Sequence, residues 1–156
     1  MTQRSLRGLV AVALLIGGLP IEVAESTERR LALGPPREFG RVIAGASGML
    51  TYRDGQPRHL SGEIVLTGLR PHHRYVLTLN CKREIGCRDT GLPERYHSEE
   101  YFDFQEVRSD ARGLVREIVD IPLPPRTYSV KFLVKDREAD GWPVVLFNDF
   151  FTFVVR

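Results

Sequence analysis

Residues 62–80, GEIVLTGLRPHHRYVLTLN, decide how the rest of the chain is read. Ile64 and Leu66 share one parity, and beyond a Gly-Leu-Arg-Pro turn Tyr75, Leu77 and Leu79 share one again, which is the two-residue side-chain repeat of a strand. Strands are therefore expected over 60–67 and 74–80. Between them Gly68 permits a backbone conformation closed to other residues, and Pro71 fixes its own φ and cannot donate to a ladder. The pattern is a strand, a corner that turns the chain between sheets, and a second strand. It argues for architecture and names no chemistry.

Working outward, Met49-Leu50-Thr51-Tyr52 has strand composition and runs into an Asp54-Gly55 turn signal. Downstream, Tyr101–Val107 places Phe102 and Phe104 on one face, residues 109–113 read as a turn, and 114–121 alternate again until Pro122, Pro124 and Pro125 end the ladder. Tyr128, Val130, Phe132 and Val134 form the clearest alternating face in the chain. In the apolar C-terminal stretch Val145, Phe147, Phe151, Phe153 and Val155 share a parity, with Asn148-Asp149 as a bulge or bend. Short strands at regular spacing, separated by Gly, Pro and Asp turns, predict an all-β fold, a single antiparallel β-sandwich of about seven or eight strands.

The corner Gly68-Leu69-Arg70-Pro71-His72-His73-Arg74-Tyr75 resembles the Gly-Leu-x-Pro-x-x-x-Tyr corner of fibronectin type III-like and other immunoglobulin-like sandwiches. That resemblance implies that the Tyr75 hydroxyl ties the corner back to the backbone. Asp110-x-x-Gly113, followed by Leu123-Pro124-Pro125-Arg126-Thr127-Tyr128-Ser129-Val130, is similar to carboxypeptidase-regulatory or transthyretin-like sandwich modules, with Arg126 where that family usually has glycine. Both resemblances imply a fold and no particular activity.

The N-terminus speaks to compartment. Arg4 and Arg7 precede an apolar run over residues 9–19, the length of a signal-peptide core and short of the roughly 20 residues that span a bilayer. The expected division is a signal peptide over 1–26, a linker over 27–41 and the β-sandwich domain over 42–156. An uncleaved signal anchor is the alternative, and the only route by which this reading reaches a membrane. Within the linker a short helical turn over 27–33, capped by Ser26, would be stopped by Pro35 and Pro36. Localisation is accordingly expected to be exported: secreted, periplasmic or in the cell envelope.

In an oxidising compartment Cys81 and Cys87, the only two cysteines, read as a disulfide rather than a metal site. So small a loop gains about 2 to 2.5 kcal/mol by chain entropy, which makes the bridge a local pin. The formal charge of +2, from 22 basic and 20 acidic residues mixed along the chain, carries no nucleic-acid footprint.

The irregular stretch of residues 81–100 is the natural place for a site, because binding residues concentrate on loops held by a rigid scaffold. Tyr96, Glu99, Glu100 and Tyr101 cluster there with Asp103, a mixture of acids and aromatics suited to gripping a sugar or, with two carboxylates suitably spaced, to acid–base chemistry. Trp142 is the other candidate contact residue. Asp136, Glu138, Asp140 and Gly141 have the composition of a calcium loop but not EF-hand spacing, and read as a solvated hairpin turn. His59, His72, His73 and His97 are candidate copper or zinc ligands, although His72 and His73, as neighbours, point apart and read as solvated turn residues. Nucleophile elbows and phosphate-binding glycine loops are absent, so no catalytic residue and no cofactor is expected. The expectation is an exported binding or structural module for a protein or glycan partner. A secreted metal-binding protein or small hydrolase, and a carbohydrate-binding module, are the alternatives.

Overall fold

The computed structural model describes residues 27–37, 39–80, 101–156 and the backbone of 97–98. The expected signal segment, Cys81, Cys87, Tyr96, Glu99 and Glu100 lie outside the described residues. Among those described, nine strands form and no helix: β1 (Thr27–Leu33), β2 (Ser47–Asp54), β3 (His59–Thr67), β4 (Arg74–Asn80), β5 (His97–Ser98), β6 (Tyr101–Arg108), β7 (Val115–Pro122), β8 (Arg126–Asp136) and β9 (Val144–Val155). They make a four-stranded sheet ordered β1-β2-β3-β7 and a five-stranded sheet ordered β5-β6-β4-β8-β9. All of the strand pairings are antiparallel. Side chains from the inner faces of both sheets meet in one hydrophobic core, the arrangement of a β-sandwich. No helix among the described residues is long and apolar enough to cross a membrane.

The alternation of the opening stretch has its physical cause in this layering. Ile64 and Leu66 of β3 face the core from one sheet, and Tyr75, Leu77 and Leu79 of β4 face it from the other. The corner between them carries the chain across. Gly68 has φ +68°, and a Cβ there would strike the Gly45 carbonyl, so glycine is required by both conformation and space. Tyr75 is fully buried, and its hydroxyl accepts a hydrogen bond from the Arg70 N–H at 3.0 Å.

A second crossing, from β6 to β7, packs against the first. The Leu69 N–H donates to the Gly113 carbonyl, the His72 N–H to the Asp110 carbonyl and the Ser109 N–H to the His73 carbonyl, at 3.0–3.1 Å. Buried Ser109 adds its hydroxyl, which donates to the Arg70 carbonyl and accepts from the His73 N–H. At the far end a third crossing follows Pro122, where the Tyr128 hydroxyl donates to the Pro124 carbonyl at 2.9 Å.

The N-terminal segment corrects two expectations. Residues 27–33 form neither a helical turn nor part of a linker; they are edge strand β1, in register with β2 from Thr27 opposite Asp54 to Leu33 opposite Gly48. Leu31 and Leu33 are buried in the core, and their two-residue spacing suits a strand, while charged Glu28, Arg29 and Arg30 occupy an exposed edge where charge blunts unwanted pairing. Gly34 then bridges to Phe147 of β9 and the Arg41 N–H donates to the Val144 carbonyl, fastening the chain to the second sheet. In β9 the expected irregularity is a bulge: Val130 and Phe132 pair with Phe151 and Asn148, so two residues oppose Lys131.

Candidate functional site

Strand parity builds a cleft on the face of the five-stranded sheet that points away from the core. Tyr75, Leu77 and Leu79 of β4 point inward, so Thr78 points outward, beside Asp103 on β6. On β8 the same parity turns Lys135 outward. The Lys135 ammonium lies 2.5 Å from the Asp103 carboxylate, which also accepts a 2.5 Å hydrogen bond from the Thr78 hydroxyl. The Lys135 Nζ is 5.1 Å from the Tyr101 ring centroid and 5.7 Å from that of Trp142. Trp142 also carries the Arg137 guanidinium at 3.8 Å, whose Nε reaches Glu106 at 3.0 Å. Tyr101, Lys135, Gly141, Trp142, Pro143 and Val144 line a cleft of about 560 Å³.

The turn that presents Trp142 is shaped by local geometry. Gly141 and Trp142 both have positive φ, +71° and +46°, and the Trp142 N–H closes the turn on the Ala139 carbonyl at 3.2 Å. A bulky side chain holds that conformation only where its surroundings over-determine it.

On the opposite parity of β8 lies a charged knot. Asp136 is completely buried. Its Oδ1 lies 2.7 Å from His73 Nε2 and accepts the N–H groups of Glu138 and Ala139 at 3.0 and 3.1 Å. Oδ2 makes no hydrogen bond among the described residues and sits 3.6 Å from the Arg70 guanidinium. The other ring nitrogen, His73 Nδ1, is 3.1 Å from Glu138 Oε2, and Glu138 in turn holds Arg74 through its backbone N–H and its Nε. Burial pushes the Asp136 carboxyl up, but the His73 hydrogen bond and the two backbone donors outweigh it and hold the group below the usual carboxylate range. The Arg74 hydrogen bond holds Glu138 below its usual range against a smaller desolvation effect.

The expected site residues are distributed as follows. Tyr101 and Trp142, from separate segments, come together around Lys135. His97 lies in β5 at a sheet edge, its backbone opposite Phe102. His59 is exposed, with Nδ1 2.7 Å from Asp120, and at ~3.3 Å per residue the length of β3 sets it about 26 Å from Thr67, remote from the corner histidines. His72 is exposed with φ +53°. No group of three or more potential metal ligands forms among the described residues. Two readings change: the His73 side chain is only 15% exposed and held between carboxylates rather than solvated, and Asp136 is a buried anchor rather than part of a solvated hairpin turn.

Lys135 and Arg137 are not candidates in the sequence, and His73, as a metal-ligand candidate, and Asp136 and Glu138, as parts of a calcium-like turn, are not joined there into one knot. One signal was available: the alternation of Tyr128, Val130, Phe132 and Val134, carried one step further, turns Asp136 inward and Lys135 outward. No family model, curated protein or solved structure matches this chain.

Proposed function

We propose that the chain is an exported β-sandwich binding module that takes a protein or glycan ligand in the Tyr101–Lys135–Trp142 cleft. The observation that carries this reading is the convergence of Tyr101 and Trp142, from β6 and the β8–β9 turn, around one ammonium at the wall of an open cleft. Two aromatic rings with Pro143 and Val144 offer apolar contact, and Lys135 offers donors, so the cleft suits a ligand with a flat apolar face and a hydrogen-bond acceptor. Asp103 is engaged by Lys135 and Thr78, which fits positioning of the ammonium better than acid–base catalysis. The Tyr75–Arg70 tie supports kinship with immunoglobulin-like sandwiches.

Export rests on the basic and apolar N-terminus, and a Cys81–Cys87 bridge belongs with it. Glycan and peptide arrays probed with wild-type protein and Trp142→Ala test the cleft. Binding lost in the variant, with an unchanged unfolding midpoint, supports it, and binding retained at full strength overturns it. Non-reducing mass spectrometry of the native protein tests the compartment: two free thiols would contradict the bridge.

A further inference from the structure

The cleft makes no use of His73, yet that imidazole is built into the junction of three loops. Its backbone is bonded to Ser109 of the β6–β7 crossing, and its ring bridges Asp136 and Glu138 of the β8–β9 turn. A carboxylate only accepts, so the Nε2–Asp136 hydrogen bond and the 3.1 Å Nδ1–Glu138 ion pair are both attractive only while both nitrogens carry protons. The two carboxylates are not equivalent. Asp136 is fully buried and fixed by two backbone N–H groups, whereas Glu138 lies at the surface with Arg74 as a second partner. When the ring gives up one proton, the other stays on Nε2, because stripping a buried carboxylate of its donor costs more than releasing an exposed one. Nδ1 then turns a lone pair on Glu138, and that contact becomes repulsive.

Glu138 belongs to the turn that presents Trp142. The Ala139 carbonyl beside it closes that turn on the Trp142 N–H, Arg137 stacks on the indole, and Trp142 holds a left-handed backbone that its neighbours must enforce. We infer that His73 is a proton-operated clamp: doubly protonated, it fastens the Trp142 turn to the Gly68–Tyr75 corner, and singly protonated, it leaves the Glu138 arm on Arg74 alone and loosens the cleft wall. The consequence for ligand binding rests on the function proposed above; the clamp itself does not.

The other charged and titratable groups around the ring are accounted for. Arg70 and Arg74 come from its own corner and strand and stay charged, and the Tyr75 ring packs at 5.2 Å. From the β6–β7 crossing, Arg108 donates to the His72 carbonyl, and Asp110 is held below the usual range by the N–H groups of Leu114 and Arg112. From the β8–β9 turn, Arg137 is paired with Glu106. Imidazole is the side chain that ordinarily changes charge between about pH 5 and 8, so His72, exposed and bonded to no carboxylate among the described residues, serves as the control.

Trp142 is the only tryptophan, so its fluorescence reads the turn without any ligand. Acrylamide quenching is measured from about pH 5 to 8.5 in wild type, His73→Gln and His72→Gln. The expected result is a single-proton rise in quenching with pH in wild type, retained in His72→Gln and lost in His73→Gln. Glu138→Gln, whose amide can face Nδ1 in either protonation state, flattens the same transition and serves if His73→Gln does not fold. A flat wild-type profile, or a transition unchanged in both His73→Gln and Glu138→Gln, overturns the clamp. Because no ligand enters the measurement, failure of the cleft to bind anything is told apart from failure of the clamp.

Discussion

Tyr75 and Asp136 face each other in register across β4 and β8, and both are completely buried. One is an apolar ring with a polar tip, the other a carboxylate, and each closes a different loop: the Tyr75 hydroxyl holds the corner through Arg70, and Asp136 holds His73 and the β8–β9 turn. The pair joins the fold-defining corner to the turn that presents Trp142.

Removing the Tyr75 hydroxyl isolates the tie from the packing. Tyr75→Phe should lose about 1–3 kcal/mol, since it leaves the Arg70 N–H without its acceptor. Tyr75→Ala should lose about 3–5 kcal/mol, because a cavity is added. Urea unfolding of the two variants measures both, and a Tyr75→Phe stability equal to wild type would mean that the hydroxyl contributes nothing separate.

Asp136 should shape the acid limb of stability. Its folded pKa lies below the ordinary value, so the unfolded chain binds its proton more readily; the stabilisation is present above the unfolded pKa and is lost as pH falls through the folded one. Stability should therefore fall from about pH 5 downwards. Asp136→Asn should flatten that limb, and should cost about 1–3 kcal/mol at neutral pH by weakening the hydrogen bonds that the buried carboxylate accepts. Chemical denaturation at stepped pH checks both, and an acid limb as steep in the variant as in wild type would contradict the assignment.

Gly113 should tolerate no side chain. It has φ +74°, and a Cβ there would collide with the Leu69 carbonyl, the group beside the bond that joins the two crossings. Gly113→Ala should destabilise by more than about 1 kcal/mol. A thermal unfolding midpoint equal to wild type would show that the crossings are free to separate.

The role of β1 is open to the same kind of test. Leu33 is 2% exposed and packs in the shared core, so Leu33→Ala should cost about 2–5 kcal/mol. A residue in a mere tether would cost close to nothing on the same denaturation curve.

The sandwich was legible wherever one face of a strand is buried, because burial imposes a two-residue period that residues 60–67 and 128–134 display openly. β1 was not, since an edge strand dressed in Glu28, Arg29 and Arg30 leaves only Leu31 and Leu33 to show its parity. The cleft was half legible. Aromatic Tyr101 and Trp142 stand out by composition, but Lys135 acquires meaning only when β4, β6 and β8 set Asp103 and Thr78 beside it. The knot was hidden for the same reason: Asp136 lies 63 positions from His73 in sequence, and pairing across that distance belongs to the topology.

The most direct measurement is amide chemical-shift mapping of whichever array ligand the wild-type protein retains, repeated with Tyr101→Ala and Trp142→Ala. Shifts concentrated at Tyr101, Lys135 and residues 141–144, and abolished in both variants, are the expected result. Shifts confined to the opposite end, around His59 and residues 122–126, or unaltered in the two variants, would contradict the cleft as the binding site.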